Sequence, residues 1–468
     1  MIMKRNGEIL IDENVKKGFL DKLEMTKQRK VLNYKYMKGI KFRLIVMNFL
    51  IFEVWGAYLC SLGVYLDNVE LDAKIGSFFA IQGIVSLFMP ALMGIVADRW
   101  IPAQKLLGIC HFIAAVFMAL AGYMGMRYGT DITFGQIFPY YAISVAFFMP
   151  TIALGNSVSY NALSKAGMDI VKDFPPIRVF GTIGFIASMW IVNFTGYKEN
   201  YMQLYLSASW GILLGFYSFT LPECPVNKNV AKGSIVDALG LRAFALFKER
   251  KMCIFFIFSF LLGMCLQVTN GFATTYLDDF GAAPEYANAF AVKNNVFLSS
   301  ISQISETLCI LLIPFFLRRF GIKKVMVISF MAWFLRFAFL GAGSPAGFGL
   351  VLFILSMIVY GVAFDFFNIS GSLFVDQNTD VSIRSSAQGV FMMMTNGFGA
   401  TIGAWSAGAI VNKFTKTTID GQLIDIPDFS QHMAGWSNAW YVFAAFALVV
   451  GILFAIVFKY KHNPEAAK

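Results

Sequence analysis

The chain has 468 residues, 57% of them hydrophobic and only 14% charged, where a soluble domain carries roughly 25% charged residues. This composition excludes a soluble enzyme, and recurring apolar runs of about twenty residues exclude a transmembrane β-barrel built from strands of about ten. The formal net charge of +10 would suit an anionic partner, but its distribution argues against nucleic acid: the excess sits in the segments between alternate apolar runs, as the positive-inside rule requires.

Taken in chain order, residues 1–43 form a basic leader with twelve Lys/Arg against five acids. It lacks the short apolar core and small-residue cleavage site of a signal peptide. Apolar runs predict helices near 44–66, 76–97, 105–126, 134–156, 175–197, 203–222, 252–277, 289–317, 323–343, 347–374, 387–411 and 436–459. The expected fold class is an all-α polytopic membrane protein, with twelve transmembrane helices in two six-helix halves. The halves are 44–222 and 252–459. Between them lies a cytoplasmic linker, 223–251, whose stretch from 237 to 251 has the amphipathic spacing of a surface helix. A cytoplasmic tail, 460–468, follows. An even number of spans puts both termini on the cytoplasmic side.

A charge inside the bilayer costs ~2.5–3.5 kcal/mol on insertion scales, so each one needs a partner, a cavity or a function. Six stand in these runs. Glu53 lies in helix one and is a candidate proton carrier. Arg178 in helix five shares a stripe with Thr182 and Phe185, at i, i+4 and i+7, and Pro175 and Pro176 are expected to set the start of that helix. In helix eight Glu306 shares a face with Gln303, three residues away, and an Arg178–Glu306 pair would neutralise two buried charges. Helix seven offers Gln267 and Asn270 at the same spacing; amides both donate and accept, which suits a nucleobase edge or sugar hydroxyls. Tyr360, Phe364 and Phe367 form an aromatic stripe in helix ten, with Asp365 beside it. A buried acid without a base exchanges protons readily near neutral pH, and Asp365 is the leading candidate proton carrier. Lys293, assigned to the outer end of helix eight, and Arg336 in helix nine are expected to be structural.

The six cysteines have no regular spacing and the chain contains three histidines, so neither a disulfide framework nor a metal centre is expected. No P-loop or Ser/His/Asp grouping points to a pump or an enzyme. No cofactor is expected; the proton is the coupling ion.

After helix two the chain reads Gly94-Ile-Val-Ala-Asp98-Arg99-Trp-Ile-Pro-Ala-Gln-Lys105. This resembles a degenerate loop signature of the major facilitator superfamily, which assigns Asp98, Arg99 and Lys105 to the cytoplasmic gate. Longer blocks are more specific: GMDIVKDFPPIRVFGTIGF (167–185), SISQISETL (300–308) and LSMIVYGVAFDFFNISGS (355–372). They closely resemble the enterobacterial-type nucleoside permeases, nucleoside:proton symporters of that superfamily, and the resemblance runs from about residue 44 to 462. It implies a central nucleoside site lined by Arg178, Thr182, Phe185, Gln267, Asn270, Gln303, Glu306, Tyr360 and Phe364. It also implies a transport-critical acid at Asp365, with Glu306 and Glu53 as further coupling carboxylates. The chain departs from the family pattern at Glu53, at Cys265, where a Glu is expected, and at Lys293-Asn294.

The resulting expectation is nucleoside import by proton symport through alternating access. The protein would sit in the inner (cytoplasmic) membrane as a monomer, with nucleosides, protons and the lipid bilayer as partners and no nucleic acid. The alternatives are a transporter of another neutral polar solute, such as a sugar or nucleobase, and a non-transporting membrane sensor.

Overall fold

The computed structural model describes residues 3–5, 8–10, 39–226, 241–380, 383–419 and 421–460. Most of the leader, residues 227–240 of the linker and the end of the tail therefore lie outside the described residues. Within them, strands β1 (Met3–Arg5) and β2 (Glu8–Leu10) pair antiparallel. Of the linker, Leu241–Lys248 forms a 3-10 helix.

Twelve spans follow. The first is α1 (39–56) continued by α2 (Leu62–Asn68). The second is α3 (Ile75–Ser86) with α4 (Met89–Arg99). Spans three to six are α5 (Ala103–Tyr128), α6 (Phe134–Lys165), α7 (Ile170–Phe194) and α8 (Met202–Ser218). The seventh is α9 (Arg250–Asp279). After a four-residue helix, α10 (Phe290–Lys293), α11 (Asn295–Ala342) holds spans eight and nine. Gly321 separates them: at φ 75° and ψ 166° it adopts a backbone conformation that side chains disfavour, and the chain reverses there. The tenth span is α12 (Gly347–Gln377). The eleventh is α13 (Arg384–Met392), a π-helical turn (Met393–Gly399) and α14 (Ala400–Thr415). The twelfth is α15 (Phe429–Val457).

Eight helical stretches, with α3 and α4 taken together as one, are long and apolar enough to cross a bilayer, and α11 is long enough to do so twice. The remaining three spans have local reasons for falling short: the first is interrupted, the sixth is 17 residues, and the eleventh contains the π turn. The interruption at 57–61 frees backbone groups inside the membrane, which must find partners. Thr274 Oγ1 donates to the Cys60 carbonyl at 2.6 Å, and Ser207 Oγ donates to that of Val54 at 2.8 Å. Large apolar side chains such as Phe180, Phe194, Phe216, Leu311 and Phe348 remain exposed on the outside of the bundle, as lipid contact permits.

Two expectations are corrected. The helix of span five starts at Ile170, more than a turn before Pro175. Asp173 holds this early turn, accepting from Lys41 Nζ at 2.7 Å while its amide donates to the Asp169 carbonyl at 2.8 Å. Lys293 is not inside span eight: it ends α10, because Asn294 (φ −117°, ψ 37°) breaks the helix before α11 begins.

The two ends of the bundle differ. At one, the turns carry Arg99, Lys105, Lys165, Arg318, Arg319, Lys323 and Lys324; we call it the basic end. At the other, β3 (Lys416–Ile419) and β4 (Gln422–Asp425) pair as an antiparallel hairpin, with Lys416 opposite Asp425. Spans one to six meet spans seven to twelve closely at this hairpin end. Gly76 and Gly408 abut, and Gly83 lies against the Thr401 hydroxyl and the Gly397 carbonyl, so that a side chain on either helix would push the spans apart.

Candidate functional site

A cavity of about 730 Å³ lies between the first six spans and the last six. Its lining runs to Pro90, Ala91, Ser386 and Gly389, so it extends toward the basic end. The nine residues that the sequence assigned to a substrate site all border it. Span five contributes Arg178, Thr182 and Phe185, one stripe on a continuous helix. Gln267 and Asn270 come from span seven, Gln303 and Glu306 from span eight, and Tyr360 and Phe364 from span ten.

Several of these groups are held by specific contacts. The Arg178 guanidinium stacks on the Phe52 ring, 3.9 Å from its centroid. It lies within electrostatic reach of Glu306, yet the two face the same space without a direct ion pair. Asn270 Nδ2 donates to Gln267 Oε1 at 3.3 Å, so the two amides act as one unit with their other atoms free. Tyr360 and Phe364 lie parallel, with centroids 5.8 Å apart at 1°. Across the cavity the Trp55 ring meets Phe185 edge-on at 6.1 Å. The site thus combines aromatic plates, an amide pair, a guanidinium and a carboxylate, and the polar groups come from opposite halves of the chain.

Asp365 and Glu53 do not border the cavity. Asp365 is buried one residue beyond Phe364, within electrostatic reach of Glu306, and its Oδ2 has no partner. Glu53 lies on the face of span one that carries Phe49 and Gly56, both packed on the backbone of span five. It is buried, and its Oε2 has no partner. Asp98 and Arg99 end α4, and Lys105 stands exposed in the first turn of α5. These three are at the basic end, away from the cavity lining.

Among the lining residues that sequence reasoning missed are Trp55, Gln82, Asn156 and Asn396. Gln82, Asn156 and Asn396 are polar groups inside apolar runs, a signal that a search for charges passes over. The π turn, a feature frequent at functional sites, carries Asn396 and Met393 to the cavity wall. Trp55 had no polar signal at all.

The hairpin end has its own polar chemistry. Lys198 is 3% exposed. Its ammonium is shared by Asp278 Oδ1 at 2.9 Å, Asn295 Oδ1 at 3.1 Å and the Val292 carbonyl at 3.2 Å. Asn193 Nδ2 donates to Asn294 Oδ1 at 2.8 Å, and Trp190 Nε1 to Ser300 Oγ at 2.9 Å. Lys416 joins Asp72 to Asp425. Burial alone would push its ammonium down, but the two carboxylates outweigh that and hold it above the ordinary lysine value. The carboxylates of Asp67, Asp72 and Asp425 converge here, and Lys416 supplies the counter-charge.

Comparison with known proteins identifies the family and the fold. A family model described as nucleoside H+ symporter matches residues 37–463. The nucleoside permease NupG of Escherichia coli (strain K12) is 47% identical over 91% of this chain and 97% of its own length. The xanthosine permease of the same organism is 45% identical over 92% and 98%. The crystal structure of the nucleoside transporter NupG superposes with a TM-score of 0.79, covering 90% of this chain and all of that one. A D-xylose–proton symporter, at 13% identity and TM-score 0.63 over 90% and 97%, shares the fold alone. The chain therefore belongs to the nucleoside H+ symporter family and is a polytopic membrane transporter rather than an enzyme.

Proposed function

We propose that this protein imports nucleosides by proton symport, binding the nucleoside in the central cavity. The observation that carries the reading is the composition of that cavity's wall. Tyr360 and Phe364 offer a flat π surface to a base. The Gln267–Asn270 unit and Gln303 offer donors and acceptors to its edge. Arg178 and Glu306, on opposite halves, suit ribose hydroxyls, with Thr182 and Phe185 completing the span-five side. A volume of about 730 Å³ is within the usual range of small-molecule sites.

A nucleoside is neutral, so symport with a proton moves positive charge inward and lets the membrane potential drive uptake. Asp365 is the principal proton carrier in this scheme: it is buried and uncompensated, one residue from the aromatic wall and within reach of the substrate-facing Glu306. Glu306 and Glu53 are the secondary carriers. No cofactor other than the proton takes part. The two six-helix units, 44–222 and 252–459, rock about the cavity. Asp98, Arg99 and Lys105 form part of the gate at the basic end. That end is cytoplasmic, by the positive-inside rule, in a protein that works as a monomer in the inner membrane. The conformation described is then inward-open.

Labelled uridine uptake into cells lacking their own permeases tests this, with adenosine, free bases and sugars as competitors. Nucleosides should compete, sugars should not, and a protonophore should abolish accumulation. Competition by sugars would instead make the protein a transporter of other polar solutes. Uridine binding without flux in proteoliposomes would make it a sensor. Asp365→Asn is expected to reduce proton-driven accumulation at least tenfold while leaving uridine binding within about threefold. Wild-type accumulation in that variant would move the proton to Glu306 or Glu53.

A further inference from the structure

Arg336 sits in the middle of span nine and is 4% exposed. Every partner of its guanidinium is neutral. Nη1 donates to Ser302 Oγ at 3.2 Å and to the Ser356 carbonyl at 3.0 Å. Ser356 Oγ donates back to the Arg336 carbonyl at 3.0 Å. The guanidinium carbon lies 4.4 Å from the centroid of the Tyr360 ring, and Nε has no partner. Arg336 does not border the central cavity.

Tying spans eight, nine and ten together needs only hydroxyls and amides, and a permanent charge is a costly way to do it. What a guanidinium adds is a flat, weakly hydrated cation that binds an aromatic face. Its contacts fall directly behind the proposed substrate wall. Ser302 precedes Gln303, and Ser356 is one turn before Tyr360. Tyr360 is further fixed by the edge-on Trp333 ring at 5.9 Å and by the parallel Phe364.

We infer that Arg336 is a positioning residue for nucleoside recognition: it holds the Tyr360 ring plane, and the turn carrying Gln303, in the orientation that stacks and reads the base. The inference rests on the cavity being the nucleoside site. Saturable uridine transport by the wild-type protein establishes that reading separately, so the result at Arg336 then stands or falls alone.

The test is uridine transport in proteoliposomes by Arg336→Lys, Tyr360→Leu and the double variant. Lysine keeps the charge and loses the planar fork. Arg336→Lys should raise KM about tenfold while changing the maximal rate, per folded protein, less than about twofold. In the Tyr360→Leu background the same substitution should raise KM by less than about twofold, because the ring through which Arg336 acts is gone. Should Arg336→Lys fail to insert, Ser302→Ala removes one of the guanidinium's acceptors and should give a KM rise of about threefold with the maximal rate retained. An unchanged KM in the variant that inserts, a maximal rate that falls alone, or a KM effect fully additive with Tyr360→Leu would each overturn the inference and leave Arg336 as a strut.

Discussion

The hairpin end and the basic end of this bundle are built from similar apolar helices, yet the central cavity is closed off from the first and extends toward the second. At the hairpin end, glycines let helix backbones meet across the two groups of spans, and buried polar groups bond across the same seam. At the basic end, cations crowd the turns, and the cavity wall reaches toward them through Pro90, Ser386 and Gly389. The difference teaches that the charges of this protein fall into separate classes. Some line the cavity, some bond across its far end, and some face water.

Removing charges from the sealed end is the most direct way to break that contrast. Lys198→Met should have the largest effect, since it leaves the Asp278 carboxylate and Asn295 without their ammonium; losing one partner of a buried pair costs ~3–5 kcal/mol. The strain is relieved if the hairpin end opens and admits water, so the expected outcome is a population shift rather than unfolding. Thr275, buried where span seven meets Gly63, provides the reporter. A Thr275→Cys variant should react with a membrane-impermeant maleimide at least tenfold faster when Lys198→Met is added. Equal rates would show that Lys198 does not bear on closure.

Lys416→Met should act in the same direction but less strongly, by ~1–3 kcal/mol: Asp425 is half exposed and recovers water, while the mostly buried Asp72 loses its ammonium. Its pH dependence has a definite sign. With the folded Lys416 held above the ordinary lysine value, its contribution is complete below that value and is lost only as pH rises through the elevated one. Labelling of the Thr275→Cys reporter should therefore show no loss of the Lys416-dependent effect as pH rises from ~6 to ~8, a range far below lysine's ~10.4. A Lys416-dependent effect that weakens as pH rises within that range would contradict the assignment, whereas one that strengthens reports the Asp72 carboxyl, which burial pushes up.

How far the sequence discloses these classes depends on contrast with the surroundings. Arg178, Glu306, Gln303 and the Gln267–Asn270 pair stand out because a polar group in an apolar run is costly and helical spacing shows which ones share a face. Gln82, Asn156 and Asn396 escape notice because neutral amides alone look like interhelical bonds. Lys198 is the reverse case. The sequence puts it in the connection between spans five and six, where lysine is ordinary, and only folding, with a 3-10 turn at Tyr197–Glu199, places Asp278 and Asn295 around it. The break in span one has no proline to announce it, and its Cys60 carbonyl is satisfied by Thr274 from the other half of the chain. That is a tertiary effect, invisible to local propensity. Lys293 appeared intramembrane because the apolar run continues through it, while the backbone at Asn294 ends α10 first.

The central claim is that the cavity takes up a nucleoside and, in the conformation described, opens at the basic, cytoplasmic end. Ser386 lies on that stretch of its wall. The six native cysteines are buried except for the partly exposed Cys253, so a Ser386→Cys, Cys253→Ser variant gives a clean reporter. An impermeant maleimide should label it in inside-out vesicles and not in right-side-out ones, and saturating uridine should slow the labelling at least fivefold. Labelling from the opposite face, or labelling that uridine does not slow, would contradict the account.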